Sequence, residues 1–276
     1  MTSQWTTRNA RYLVAFWLSI TPVTATLPEP PAGMNAIPLR LAGRHLLVDG
    51  VYIDGAGPFR FVLDTGAQSS SLRTDVAERL GLRASFRVEA ESVGGKRWLP
   101  GGIAGKVTLG NHSAVQVEMV IHDLDAMRLV DSRVQGVLGQ NYLARFNYLL
   151  DVRGRSLSFR DDGEGERMPF RRISDRMVLH AGGLDLVLDS GSGDLVLFHD
   201  CGAGLKAGPL MRVAAVSDAG EVRMGRVPTL RVGERVLRNV PAAVIPQARA
   251  GSDGLLPVTL FESVFVNNVE GYVILR

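Results

Sequence analysis

The feature that most restricts how this chain can fold is an internal repeat. Residues 57–66 read GPFRFVLDTG and residues 182–191 read GGLDLVLDSG, an ungapped correspondence at an offset of 125 residues. In each copy a glycine-containing turn leads into an apolar strand that ends on Asp-Thr/Ser-Gly. Phe59, Phe61 and Leu63 match Leu184, Leu186 and Leu188, so one strand face is expected to be buried identically in both copies. A second pair reinforces the first. Gly136-Val137-Leu138-Gly139 starts 72 residues after Asp64, and Gly254-Leu255-Leu256-Pro257 starts 65 residues after Asp189. A short helical pattern and then a strand follow each. Two halves that carry the same elements in the same order imply a duplicated, two-lobed architecture.

The elements are mostly strands. Apolar runs of four to nine residues at 45–53, 59–63, 116–121, 148–152, 184–188, 240–245 and 272–275 are bounded by Gly, Asp and Asn turns. Helical patterns are few and short, at 74–80, 140–146 and 258–264. With 46% hydrophobic and 21% charged residues, the chain can bury a core in each half. The spacing predicts lobes over 38–160 and 173–276, joined by the charged, glycine-containing stretch 161–172, which reads as a solvated connector.

The first 25 residues read as an export signal. Arg8 and Arg11 precede a short apolar run at 12–20, and the small residues Val23-Thr24-Ala25 offer a cleavage site. The run is too short to span a bilayer, so the mature form is expected to have no stable membrane span. Residues 26–37 form a proline-rich tether. The expected location is the periplasm or outside the cell. One cysteine, Cys201, allows no internal disulfide.

The repeated Asp carries the chemistry. A lone Asp-Thr-Gly is usually a turn, but here each triplet closes an apolar strand, and each half supplies one. Two equivalent halves pack about a pseudo-two-fold axis, which brings Asp64 and Asp189 together. Two buried carboxylates at one site cannot both ionise cheaply, so the pair holds one proton. The ionised member can take a proton from water while the protonated member donates to a carbonyl oxygen. This needs neither a cofactor nor a metal.

These residues, Asp64-Thr65-Gly66-Ala67 and Asp189-Ser190-Gly191-Ser192 with the downstream Val137-Leu138-Gly139, resemble the pepsin and retropepsin superfamily of aspartic proteases. The resemblance spans about residues 38–276 and is strongest to exported bacterial-type enzymes built from two retropepsin-like units in one chain. It implies a mostly β, bilobal acid-protease fold and an aspartic endopeptidase acting on peptides or proteins. It further implies that Asp64 and Asp189 form the catalytic dyad. Thr65 and Ser190 would tie the two loops by reciprocal hydroxyl-to-backbone bonds. Gly66 and Gly191 would let backbone N–H groups approach the carboxylates. A flap hairpin is expected at 91–104, with Gly94 and Gly95 as hinges and Trp98 against substrate, and a second candidate lies at 216–224.

Two departures from the pattern are visible. Pro257 stands where the second half should have a glycine, so the packing after it must differ. Ser192 offers a hydroxyl to Asp189 that Ala67 cannot offer to Asp64. Asp64 is therefore expected to be the more readily protonated member, with a less acidic pH optimum than a site with two hydroxyls.

Other classes fit less well. A formal charge of +3 without a basic stripe argues against nucleic acid. His45, His112, His122, His180 and His199 form no metal-ligand spacing. Ser190-Gly191-Ser192-Gly193 is neither a nucleophile elbow nor a dinucleotide loop. The alternative is a protease-like module that binds peptides or proteins without cutting. Because both aspartates sit in one chain, a monomer is expected to suffice.

Overall fold

The computed structural model of the 276-residue chain describes residues 6–13, 36–92, 95–198, 205–214, 219–245 and 251–276. Most of the export signal and of the tether, Gly94, His199 and Cys201 lie outside them. The strands form two sheets. In the first half, Phe86–Ser92, Gly95–Leu109, His112–Ile121, Ser70–Leu72, Gly136–Leu138, Ala56–Leu63 and His45–Ile53 are neighbours in that order. In the second, the order is Lys206–Ala214, Ala219–Val232, Arg235–Ile245, Leu195–Phe198, Gly254–Pro257, Leu184–Asp189 and Arg176–Ala181. The two arrangements correspond strand for strand, so the repeat in sequence is a repeat in topology.

Pairing directions agree as well. Ala56–Leu63 runs parallel to Gly136–Leu138, and Leu184–Asp189 runs parallel to Gly254–Pro257. Ser70–Leu72 inserts between Gly136–Leu138 and His112–Ile121, antiparallel to one and parallel to the other. Leu195–Phe198 does the same in the second half. Each Asp-bearing strand is thus covered on both edges and ends inside its lobe. The alternation expected from sequence holds: Phe59, Phe61, Leu63, Leu184, Leu186 and Leu188 all enter one shared core. Their neighbours Val62 and Val187 face two separate smaller clusters. Both faces of these strands are therefore apolar, as buried parallel pairings require.

The halves are joined through one sheet. Tyr148–Asp151 pairs antiparallel with Ser263–Asn267, which pairs with Tyr272–Leu275. This pairing shortens the helix expected over 258–264. Only Val258–Leu260 forms a 3-10 turn, and from Ser263 onward the backbone bonds are taken by the neighbouring strands. The connector is likewise more ordered than its charge suggests. Met168–Pro169 pairs with Tyr272–Leu275, and Arg171–Ile173 with Arg176–Ala181. The helix Asp125–Val130 was not expected from the sequence. It follows Leu124 in a left-handed conformation and buries Ala126 and Met127 in the cluster that contains Ala67. Within the expected export signal, Thr6–Leu13 is a strand parallel to Phe86–Ser92. No helix among the described residues is long and apolar enough to cross a membrane.

Candidate active site

Each Asp-Thr/Ser-Gly loop begins where its strand ends. The Asp64 N–H donates to Leu138 O at 3.1 Å, which carries the parallel pairing one residue into the loop. The loops then turn toward each other. Thr65 Oγ1 donates to Leu188 O at 2.8 Å and accepts the Ser190 N–H at 3.0 Å. Ser190 Oγ donates to Leu63 O at 2.8 Å and accepts the Thr65 N–H at 2.9 Å. Two hydroxyls thereby make four bonds between the halves in a region where both side chains are at most 1% exposed. Buried hydroxyls satisfied in both donor and acceptor roles rigidify their surroundings.

The carboxylates lie where these bonds direct them, each 1% exposed. The glycines allow their approach. A Cβ built on Gly66 would stand 2.4 Å from Asp189 Cγ, and one on Gly191 would stand 2.5 Å from Asp64 Cγ. Any side chain at either position would therefore occupy the space of the opposite carboxyl group. Asp64 Oδ1 accepts the N–H groups of Gly66 and Ala67, both at 2.9 Å. Asp189 Oδ1 accepts that of Gly191 at 2.7 Å. Asp64 Oδ2 is buried without an N–H or hydroxyl donor among the described residues.

The electrostatics follow from this geometry. Burial raises the Asp64 carboxyl to about 6, opposed by a hydrogen bond from Asp189, the two backbone N–H groups and the charge of Arg176. Burial also pushes Asp189 well above the ordinary carboxyl range, and the negative charge of Asp64 adds to it. The Gly191 N–H and Arg176 pull the other way. The hydroxyl support expected for Asp189 is not made. Ser192 does not donate to Asp189; its hydroxyl goes to Asp194 O at 2.7 Å. Asp64 is the better solvated anion because two N–H groups reach it rather than one.

The other expected site residues are placed as follows. The 91–104 segment belongs to a hairpin of Phe86–Ser92 and Gly95–Leu109, in which Ser92 pairs with Gly95 and Glu89 with Trp98. Trp98 is 43% exposed. The second flap candidate falls on the equivalent hairpin of Lys206–Ala214 and Ala219–Val232, and its residues 216–218 lie outside those described. Two contributors were not read from the sequence. Gln140 Nε2 donates to Thr65 O at 2.8 Å, and Arg176, only 6% exposed, supplies positive charge to both carboxylates. Gln140 directly follows Val137-Leu138-Gly139, which was the available signal. Arg176 carried none. Among the described residues no group of three or more His, Cys, Asp or Glu could hold a metal ion.

Two β lobes, each presenting an Asp-Thr/Ser-Gly loop to the other, constitute an acid-protease fold. The family comparison agrees in kind. Residues 50–142 match the family model described as aspartyl protease, a segment that contains the first of the two loops. Among solved structures, one match is a retropepsin-like aspartic protease from Rickettsia conorii. It is 17% identical, with a TM-score of 0.33, and the match covers 45% of this chain and 87% of that one. A search of curated proteins finds no match. The likeness to aspartyl proteases thus rests on the first half of the chain, in the segment that carries Asp64-Thr65-Gly66.

Proposed function

We propose that this protein is an aspartic endopeptidase that hydrolyses peptide bonds with a water molecule activated between Asp64 and Asp189. The observation that carries this reading is the mutual approach of the two carboxyl groups through glycine positions, held by four hydroxyl–backbone bonds. Such a pair shares one proton. In this reading Asp189 carries the proton and Asp64 is the anion, a choice supported by two N–H donors to Asp64 against one to Asp189. Asp64 takes a proton from the water as its oxygen attacks the scissile carbonyl carbon, and Asp189 gives its proton to the carbonyl oxygen. The tetrahedral diol then collapses. Asp64 returns its proton to the departing amine, and the diol hydroxyl returns one to Asp189, which restores the starting state.

The substrate is a peptide or protein chain, closed over by the hairpin that carries Trp98. A single chain holds both carboxylates, so a monomer acts alone, in the periplasm or outside the cell. The test is Asp64→Asn and Asp189→Asn against a peptide library. Each change is expected to lower kcat/KM by at least ~10³-fold, since neither half of the proton shuttle works alone. Undiminished cleavage by either variant overturns the dyad. Peptide binding without cleavage by the unmutated chain would identify a binding module instead.

A further inference from the structure

The two catalytic loops are braced differently, and this singles out a residue in the opposite half. The Asp64 loop is held by its own lobe. The Gln140 N–H donates to Ala67 O at 2.9 Å, the Asn141 N–H to Gln68 O at 3.1 Å, and Gln140 Nε2 to Thr65 O. The Gly139 N–H donates to Ser70 Oγ at 3.1 Å. The Asp189 loop lacks the equivalents. Pro257 has no N–H to give, Leu195 stands where Ser70 does, and Val258 stands where Gln140 does. Among the described residues no hydrogen bond runs from Val258–Leu260 to the loop 189–194.

The missing support comes from Arg44, in the turn between Ile37–Ala42 and His45–Ile53 of the first half. Its Nη1 donates to Gly193 O at 2.9 Å and also pairs with Asp194 Oδ1. Asp194 is 6% exposed, and Ser192 Oγ ties its carbonyl back into the loop. The Arg44 stem lies flat on the loop: a Cβ on Gly193 would stand 2.9 Å from Arg44 Cβ. A charge-assisted bond to a buried carboxylate is among the stronger non-covalent restraints available.

We propose that Arg44 is a positioning residue for Asp189, replacing across the lobe boundary the brace that the second lobe lost at Pro257 and Val258. It does not touch the reacting atoms. It holds residues 192–194, and through them it sets the Asp189 carboxyl against Asp64. This rests on the peptidase reading, and the experiment separates the two. Arg44→Ala, Arg44→Lys and Asp194→Asn are assayed beside Asp64→Asn, with Arg40→Ala as a control for a surface arginine that pairs with Asp49 of its own half. Displacing a catalytic group by an ångström costs about 10²-fold. Arg44→Ala is therefore expected to lower kcat by ~10- to 100-fold with KM changed by less than ~threefold. Arg44→Lys should recover most of the loss, and Arg40→Ala should match the unmutated chain. The pH at which kcat falls on the acid side should move in Arg44→Ala and not in Arg40→Ala. A folded Arg44→Ala with kcat within ~twofold of the unmutated chain, beside an inactive Asp64→Asn, overturns the proposal alone. Failure of lysine to recover activity overturns the charged brace. An active Asp64→Asn overturns the peptidase reading itself. If Arg44→Ala does not fold, Asp194→Asn decides: reduced kcat supports the brace, and unchanged kcat refutes it.

Discussion

Removing the Thr65 hydroxyl tests whether the two halves are locked by the bonds between their loops. Thr65→Val keeps the branched shape and volume and deletes one atom's worth of hydrogen bonding. The Leu188 carbonyl loses its 2.8 Å donor and the Ser190 N–H loses its 3.0 Å acceptor. Leu188 and Ser190 are both 0% exposed, so water cannot take over. Each buried group left unsatisfied costs ~1–3 kcal/mol, which gives ~2–6 kcal/mol for the substitution. That is a large part of the ~5–15 kcal/mol that holds a typical domain together. Ser190→Ala removes the mirror pair, Ser190 Oγ to Leu63 O and Thr65 N–H to Ser190 Oγ, and should fall in the same range. Thr65→Ser keeps both bonds and should cost less than ~1 kcal/mol, the value of one lost methyl group. The double variant should cost less than the sum, because the second pair is worth less once the loops have separated. Urea unfolding with the slope fitted separately for each variant measures all four, and peptide cleavage at equal folded fraction measures whether the loops still meet. A Thr65→Val variant less than ~1 kcal/mol destabilised and fully active would refute the view that these bonds set the geometry.

Acidity gives a second test. Burial raises both carboxyls, Asp64 to about 6 and Asp189 well above the ordinary carboxyl range. The singly protonated pair therefore prevails above about 6, so kcat/KM should climb with an acid limb there, and a profile peaking near pH 2 contradicts the assignment. Carboxyls raised on folding stabilise the protein at low pH, and that contribution disappears as pH rises through the folded values. Denaturation midpoints should accordingly fall as pH rises from below the ordinary carboxyl value through 6, and Asp189→Asn should flatten the dependence. Two core glycines should also differ. A Cβ on Gly254 meets the Val196 carbonyl at 2.0 Å, a backbone atom that cannot yield, whereas one on Gly136 meets the Phe61 ring at 2.2 Å. Overpacking costs ~1–3 kcal/mol where a side chain can shift, so Gly136→Ala should remain folded and Gly254→Ala should be the more damaging of the two in thermal unfolding.

Much of this site was legible because it repeats. The ungapped offset between Phe59-Arg60-Phe61-Val62-Leu63-Asp64 and Leu184-Asp185-Leu186-Val187-Leu188-Asp189 contains strand, face and loop at once. Burial of alternate residues does the rest. The seam between the halves was less legible. The stretch 258–264 looked helical on its own residues, and pairing with Tyr148–Asp151 makes a strand from Ser263 onward. Tertiary pairing outweighs local preference there. The partner of Ser192 was misjudged for a related reason. Ser192 has a hydroxyl, but a hydroxyl two residues from Asp194 O has a nearer acceptor than the carboxylate. Arg44 lies 149 residues from the carbonyl it holds, and no short-range pattern signals such a partner. The departure at Pro257, by contrast, was readable from the repeat, whereas that at Leu195 was not read. One lacks the N–H and the other the hydroxyl that Gly139 and Ser70 share in the first half.

The exchange of hydroxyl bonds between the two loops has a consequence for the protein while it is being made. Each aspartate on its own is a carboxyl group facing water, ionised at neutral pH and unable to donate. The proton pair exists only after the halves have closed on each other and excluded solvent. Half of the site is synthesised more than a hundred residues before its counterpart. A nascent or partly folded chain therefore carries no competent pair with which to cut itself or its neighbours. Under the proposed peptidase reading, reactivity arrives only when the two halves have closed on each other.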